Sequence, residues 1–400
     1  MSDGAVSRVD VAILGGGIAG LWILDECRRA GLNAVVLEKS ALGTGQSLWS
    51  QGIIHGGLKY TLSGLLNPSA QAVREMPGVW RRCLAGEIEP DLRGARLRAP
   101  FCHLWRTDSI ASRAAMIGAK VGLRVTPTDV AVGDRPAALR GVPGVVARLE
   151  EQVIDVGSVL GVLAGRNVGR VLLTPRVRVL PGGAGGVRVV LDGERAGSAV
   201  LEARWLVLSA GGGNAGLREA LGLEPGRTQV RPLHQAMVRG GSLGELNGHC
   251  VDGAETRVTV TSARDAAGRV VWQVGGRLAE AGVALDEAAL VESAKRELAA
   301  CLPGVDFSGC EWCGYRADRA EFSPGGRGGG LVRPDDATVL VEGRVISAWP
   351  TKLALAPRLA EMVLERVSAG RERASDALPA WAAAAVGAAP WDEAGRVWRG

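Results

Sequence analysis

The pattern of apolar and polar positions near the N-terminus predicts a strand, a turn, a helix and a second strand in immediate succession. The apolar run at residues 9–14 leads into the glycine-rich segment at residues 15–20, and a helical stretch follows. The second apolar run, residues 33–37, ends on Glu38. Parallel strands buried on both faces give apolar runs of this kind, so the segment predicts the first part of an α/β sheet.

The spacing of the glycines adds a chemical expectation to this unit. Gly15 permits a tight turn after the strand, and Gly17 lets backbone N–H groups approach a pyrophosphate at the N-terminus of the helix. Gly20 allows the helix to pack closely on the strand, and Glu38 is placed to accept hydrogen bonds from the hydroxyls of an adenosine ribose. The unit therefore predicts a site for a dinucleotide.

The alternation of predicted strands and helices resumes after residue 150. The pattern predicts an amphipathic helix around residues 156–163 and strands at residues 171–173 and 176–179. An apolar strand at residues 203–210 then runs into Gly211, Gly212 and Gly213. A strand that ends in small residues suits a second close approach to the dinucleotide. Further strands at residues 338–342 and 345–348 precede a helix that ends near Gly370.

Between these pieces the pattern changes to the alternation of half-buried strands. Residues 256–261 and 269–274 alternate on either side of a polar segment, which predicts a hairpin. Residues 96–106 and 113–134 are assigned to the same kind of β-rich region. A helix with an apolar face from Leu290 to Cys301 is expected to stop before Pro303. The chain thus predicts two domains, as its 400 residues also suggest.

The composition of the chain indicates which kinds of binding partner to expect. The chain has 47 basic and 42 acidic residues, a net charge of +5, and no basic run of five or more. We therefore expect no nucleic-acid partner, whereas a small anionic substrate would suit the balance. No secretory leader and no apolar run long enough to cross a bilayer are recognisable, so a soluble, cytoplasmic protein is expected.

Seven cysteines, an odd number scattered along the chain, suggest reduced thiols. Cys310 and Cys313 have redox or zinc spacing but no second ligand pair nearby, so ordinary thiols are favoured and no metal site is expected. The tail beyond Arg371 is interpreted as a packed or partly disordered extension. Its tryptophans at positions 381, 391 and 398 either pack on the body of the protein or touch a membrane surface.

Three motifs carry a resemblance to a known family. They are the glycine unit that ends on Glu38, the block SQGIIHGGLKY at residues 50–60, and the segment PTKLALAP at residues 350–357. Over most of residues 8–370 the chain resembles the FAD-dependent oxidoreductases of the D-amino-acid oxidase superfamily. The middle block is most similar to glycerol-3-phosphate dehydrogenases, with Lys59 in place of an Arg, and also resembles 2-hydroxyglutarate dehydrogenases.

The resemblance implies an α/β fold in which a discontinuous Rossmann-like FAD-binding domain carries an inserted antiparallel-sheet substrate domain. The FAD-binding parts are then residues 1–78, 149–228 and 315–370. The substrate parts are residues 79–148 and 229–314, and residues 371–400 form the C-terminal tail.

The resemblance also implies the residues that hold FAD. Val177 would contact the adenine, Ala210 and Gly211 would pass near the pyrophosphate, and residues 46–52 would follow the ribityl chain and the flavin edge. The full set is Gly15, Gly17, Gly20, Glu38, Lys39, Gln46, Ser47, Gln51, Gly52, Val177, Ala210, Gly211, Thr351, Lys352 and Leu353.

Four residues are candidates for the chemistry. Lys352 matches a lysine beside the flavin and would stabilise charge on its N1–C2=O side, although it could instead cap a helix. His55 is a candidate base on a substrate hydroxyl, or a structural partner of the flavin. Arg316 could hold a carboxylate or phosphate in bidentate fashion, with Lys59 as a second cation. The other histidines, His103, His234 and His249, are interpreted as packing residues, and Arg319 as a surface cation that pairs with Asp318 or Glu321.

The sequence therefore predicts an FAD-dependent dehydrogenase or oxidase. It would oxidise a C–O or C–N bond of a small, anionic metabolite by hydride transfer to the flavin N5, with oxygen, a quinone or an electron-transfer protein as acceptor. Three alternatives stay open. They are an amine or amino-acid oxidase that uses oxygen, a flavin-binding subunit without turnover, and an RNA-modifying flavoprotein.

Overall fold

The computed structural model describes residues 6–56, 68–107, 128–181, 186–193, 197–252, 255–325, 334–368 and 373–400. Within these residues the strands are β1 (Val6–Leu14), β2 (Ala34–Glu38), β3 (Leu97–Ala99), β4 (Cys102–Arg106), β5 (Thr128–Asp129), β6 (Ala147–Leu149), β7 (Val153–Ile154), β8 (Val171–Leu173), β9 (Arg176–Pro181), β10 (Val187–Gly193), β11 (Gly197–Leu208), β12 (Thr228–Arg231), β13 (His234–Gly240), β14 (Gly248–Asp252), β15 (Glu255–Arg264), β16 (Val270–Gly275), β17 (Cys310–Arg316), β18 (Arg319–Phe322), β19 (Thr338–Glu342) and β20 (Val345–Trp349). The α-helices are α1 (Ile18–Arg29), α2 (Pro68–Ala85), α3 (Val156–Arg166), α4 (Asn214–Ala220), α5 (Arg277–Ala281), α6 (Glu287–Cys301) and α7 (Ala356–Val367).

The first sheet contains the apolar strands that the sequence predicted. Its order is β19-β20-β11-β1-β2-β8, and β10 and β9 extend it as an antiparallel arm on β11. The pairs β20/β11, β11/β1, β1/β2 and β2/β8 are parallel. Every residue of β2 is buried, as a strand covered on both faces requires. The helices α1, α3 and α7 contribute buried faces to the main core around this sheet.

The second sheet is almost entirely antiparallel, with the order β17-β13-β16-β15-β14-β4-β6-β5. The predicted hairpin is confirmed as the antiparallel pair β15/β16. The predicted helix is confirmed as α6, which starts where the Asp286 side chain accepts a hydrogen bond from Ala289 N (2.8 Å). Its face from Leu290 to Leu298 packs into the core of this sheet.

The two sheets draw on alternating parts of the chain. Strands of the first sheet come from residues 6–38, 171–208 and 338–349, and strands of the second from residues 102–149 and 234–316. This arrangement confirms the predicted fold class. The domain boundaries stay a prediction.

Helix α2 was not predicted from the sequence. Its Trp80 is fully buried, stacks at 4.7 Å from Trp22 in α1, and donates its Nε1–H to Ala354 O (2.9 Å). Pro77 lies inside this helix and removes one backbone donor, which weakens the helical signal in the sequence. Tertiary packing of the tryptophan outweighs that local penalty.

The C-terminal tail packs on the body of the protein, so that alternative is confirmed. Trp391 is buried, and Trp381 donates to Leu173 O (2.6 Å) at the edge of the first sheet. Further along, Arg399 forms a bridge with Trp312 in the second sheet. Among the described residues no helix is both long and apolar enough to cross a membrane. All seven cysteines are buried free thiols, as expected.

Candidate functional site

A cavity of about 1620 Å³ lies between the two sheets, at the carboxyl ends of the parallel strands. Leu14, Glu38, Ala210 and Trp349 line it from the first sheet, and Thr259 lines it from the second. Open α/β sheets bind ligands at this edge, because strands and loops of different parts of the chain meet there. The volume exceeds the roughly 300–1,000 Å³ of common ligand pockets.

The glycine turn after β1 has the close contacts that its sequence predicted. Gly15 has a φ of +110°, and a Cβ at this position would lie 2.7 Å from the Cα of Ala210. A Cβ on Gly20 would lie 2.0 Å from Gly15 O, so helix α1 sits directly on the turn. Gly17 is the N-cap of α1, and the next N–H, that of Ile18, donates to Ser47 Oγ (3.1 Å). Backbone therefore faces the cavity where a pyrophosphate would lie.

Glu38 lies beside this turn at the end of β2 and is buried. Its Oε2 accepts a hydrogen bond from Gly16 N (2.7 Å), and its Oε1 accepts one from Ser40 N (3.0 Å). These bonds fix the carboxylate at the cavity wall. A carboxylate has further lone pairs, so it can also accept from a ribose hydroxyl.

The loop before His55 links the two sheets across the cavity. Gln46 Oε1 accepts a hydrogen bond from Ala320 N (3.0 Å). Gln51 donates its Nε2–H groups to Thr259 O (3.0 Å) and Gln273 O (3.1 Å) on the second sheet. The loop is thereby held along one wall of the cavity.

The backbone is strained where the chain comes back to the cavity after β20. Thr351 is the described non-glycine residue with a positive φ, +61°, and its hydroxyl donates to Asp336 O (2.8 Å). Such conformations cost about 1–3 kcal/mol and persist where the surroundings enforce them, often at functional sites. The next residue, Lys352, donates from Nζ to Asp335 O (3.4 Å) at the cavity wall.

Two histidines and one glutamate meet on the cavity wall. Glu151 Oε2 lies 3.5 Å from His55 Nδ1 and 3.4 Å from His249 Nε2. Glu151 Oε1 accepts a hydrogen bond from Gly56 N (2.8 Å), and His249 Nδ1 lies 3.0 Å from Thr259 Oγ1. We call His55, Glu151 and His249 the histidine–glutamate cluster. One ring nitrogen of each histidine and one carboxylate oxygen of the glutamate all lie within 4.8 Å of one another.

Electrostatics set the charge of this cluster. The His55 side chain is 45% exposed, yet desolvation by the protein around it lowers its pKa below the ordinary value, although Glu151 raises it. Burial alone would raise the pKa of Glu151, but the contacts with His249 and His55 outweigh it and hold that pKa well below its usual range. At neutral pH the cluster therefore contains an ionised carboxylate and a neutral His55, which is the form of histidine that accepts a proton.

Most of the residues singled out in the sequence line this cavity. Those that do are Gly15, Gly17, Glu38, Lys39, Gln46, Ser47, Gln51, Gly52, His55, Val177, Ala210, Gly211, Arg316, Thr351, Lys352 and Leu353. Gly20 packs behind the turn rather than facing the cavity. Lys59 lies outside the described residues. Arg316 is exposed, and its Nη1 donates to Val283 O (3.2 Å).

Two expectations need correction. His249 is not merely a packing histidine, because it lines the cavity within ion-pair distance of Glu151. Glu321 is not a surface partner of Arg319, because it is buried and pairs with Arg231 (2.7 Å). The interpretation of His234 as a satisfied packing residue is confirmed by its contact with Gly282 O (3.1 Å). Glu151 was missed entirely, since no local motif marks it.

The residues present fit an FAD molecule. The turn at Gly15 has no room for a side chain and presents backbone to the cavity. Glu38 lies beside this turn and accepts a hydrogen bond from Gly16 N. Lys352 and the histidine–glutamate cluster lie in the same cavity, so one elongated ligand can reach both.

Comparisons with known proteins agree with this fit. The family model of the FAD dependent oxidoreductases, DAO, matches residues 10–343. A probable FAD-dependent oxidoreductase of Pseudomonas aeruginosa is 40% identical over 376 residues, 92% of this chain and 94% of that protein. A crystal structure of an FAD dependent oxidoreductase from Pseudomonas aeruginosa has a TM-score of 0.81 at 37% identity, covering 98% of this chain and 99% of that one.

More distant structures share the fold alone. L-α-glycerophosphate oxidase from Mycoplasma pneumoniae, with FAD bound, has a TM-score of 0.64 at 15% identity and covers 94% of this chain and 97% of its own. Glycine oxidase from Geobacillus kaustophilus has a TM-score of 0.62 at 16% identity and covers 92% and 97%.

Proposed function

This chain belongs to the DAO family of FAD-dependent oxidoreductases, and we propose that it oxidises a C–O or C–N bond of a small, anionic metabolite, with the C–O bond favoured. Bound FAD supplies the acceptor for the two electrons and the hydrogen of the substrate C–H bond, as a hydride at N5. The histidine–glutamate cluster is the observation that supports the proposal and the preference.

The preference for a C–O bond follows from the fate of the hydroxyl proton. When the C–H bond of an alcohol breaks with its electron pair, a carbonyl forms only if the O–H proton leaves as well, and a base must take it. A neutral amine donates its nitrogen lone pair and needs no such base. His55 is neutral, faces the cavity and is backed by Glu151, so it suits the alcohol reaction.

The charges of the cavity support an anionic substrate. Arg316 is exposed at the cavity, and within the described residues its side chain donates to Val283 O, so other donors of its five-donor guanidinium can bind a ligand. A guanidinium holds a carboxylate or phosphate through two parallel hydrogen bonds. Lys352 is assigned to the stabilisation of negative charge on the reduced cofactor.

The proposal is tested by mixing the FAD-loaded protein anaerobically with hydroxy acids, polyol phosphates and amino acids in a stopped-flow spectrometer. We expect an anionic hydroxy compound to bleach the flavin absorbance. His55→Asn should slow this step about 10²- to 10⁴-fold, while His103→Asn, whose side chain does not line the cavity, should not. Bleaching by amino acids alone would instead support the amine-oxidising alternative. A flavin that no compound of the panel reduces would overturn the proposal.

A further inference from the structure

Glu151 lies between two histidines on the wall of the cavity. We propose that Glu151 is a positioning residue that fixes the ring tautomers of His55 and His249, which leaves the lone pair of His55 Nε2 available to take the substrate proton. The proposal rests on the proposed function, because it assigns His55 the proton of the substrate hydroxyl.

The contacts determine which nitrogen carries hydrogen. An ionised carboxylate only accepts hydrogen bonds, so both nitrogens that face Glu151 Oε2 carry a hydrogen. For His55 that nitrogen is Nδ1, and the lone pair is then on Nε2. For His249 it is Nε2, and the lone pair on Nδ1 accepts the hydroxyl hydrogen of Thr259. Glu151 Oε1 is occupied by Gly56 N, which fixes the carboxylate itself.

The separations of 3.5 and 3.4 Å are longer than the 2.7–2.9 Å of a tight charge-assisted hydrogen bond. Catalytic hydrogen bonds are often long before the site is filled, and they shorten when substrate is present. Glu151 is therefore placed to form a shorter hydrogen bond with whichever imidazole becomes charged.

One carboxylate compensates one imidazolium. After His55 takes the substrate proton, it faces Glu151 as an ion pair. Arg319 is also close enough to His55 to lower its pKa, which opposes the effect of Glu151. Cys102, another ionisable neighbour of Glu151, stays a neutral thiol because burial raises its pKa well above the ordinary value.

The titration can be followed directly because the chain has only four histidines. The FAD-loaded protein, labelled with ¹⁵N at histidine and kept in EDTA, is titrated by NMR, and His103→Asn and His234→Asn assign the other two rings. We expect an Nδ1–H tautomer for His55 and an Nε2–H tautomer for His249.

Glu151→Gln is the decisive variant, and Glu150→Gln is its matched control. Glu150 is the neighbouring, exposed acid that pairs with Arg81. Since Glu151 raises the pKa of His55, its removal should lower that pKa, mix the tautomers, and shift the acid limb of flavin reduction to lower pH. Glu150→Gln should leave both rings and the rate profile unchanged.

Thr259→Val is a second variant in case Glu151→Gln does not fold. It removes the hydroxyl that lies 3.0 Å from His249 Nδ1, so the two tautomers of His249 should mix. Unchanged tautomers and titrations in both variants would overturn the proposal. Because the NMR readout needs no substrate, the expected tautomers without reduction by any hydroxy compound would refute the proposed function and leave the positioning role of Glu151 standing.

Discussion

Substitution of Gly15 by Ala tests whether the glycine turn shapes the cofactor cavity. The new Cβ would lie 2.7 and 2.8 Å from the Cα and N of Ala210 and 2.8 Å from Ser209 O, all backbone atoms. Backbone cannot rotate away as a side chain can, and overpacking of this kind costs about 1–3 kcal/mol. The φ of +110° adds strain of about 1–3 kcal/mol for a residue with a Cβ. The sum is about 2–6 kcal/mol.

Either the turn or the Ala210 loop must move, and both line the cavity. We therefore expect a fall of at least about 4 °C in Tm, taking about 2 °C per kcal/mol, and at least a tenfold rise in the FAD dissociation constant. Calorimetry and flavin fluorescence titration measure the two. Gly165→Ala is the control, because this glycine is exposed in α3 and its Cβ would meet nothing within 4 Å. It should stabilise the protein by about 0.4–1 kcal/mol. A Gly15→Ala protein with normal Tm and FAD affinity would refute the reasoning.

Three further outcomes are expected. Lys352→Met should lower the flavin midpoint potential by about 30 mV, which is about 1.4 kcal/mol for a two-electron couple, whereas Lys39→Met should not. If redox titration gives Lys352→Met the same potential as the unchanged protein, the role of Lys352 is contradicted. The rate of flavin reduction should fall as the pH drops, since His55 must be unprotonated to act as the base. Because desolvation lowers the pKa of His55, the midpoint of the rate–pH profile measured by stopped flow should lie below pH 6.5. A midpoint above that value would exclude His55 as the base. Arg218→Leu should cost about 1–3 kcal/mol in urea unfolding, because the fully buried guanidinium donates to Ser347 Oγ (2.7 Å) and Glu224 O (2.7 Å), which would lose their donor, and also pairs with Glu342. A loss below about 1 kcal/mol, as expected for a surface pair such as that of Arg188, would show that these bonds are unimportant.

Much of the first sheet was predictable because its signals are local. A parallel strand covered on both faces needs a continuous apolar run, and residues 9–14 and 33–37 provide it. The tight turn at Gly15 and the close helix packing at Gly20 each require a residue without a side chain, so the sequence shows them directly. The hairpin β15/β16 was predictable for the same reason, since alternation and a polar turn lie next to each other in the chain.

Helix α2 shows where local signals fail. Pro77 argues against a helix when the segment is considered alone. The helix forms because Trp80 is buried against Trp22 and bonded to Ala354 O, residues that lie far away in the chain.

The sequence by itself determined the fold class, the cofactor family and the position of the glycine turn, because each depends on the order and spacing of neighbouring residues. Only the tertiary structure decided that Glu151 and His249 meet His55. Glu151 follows β6, His249 lies on β14, and both strands pair with β4 in a register that local patterns do not encode. Register brings distant residues together through the geometry of the whole sheet, so the histidine–glutamate cluster exists only in the folded protein.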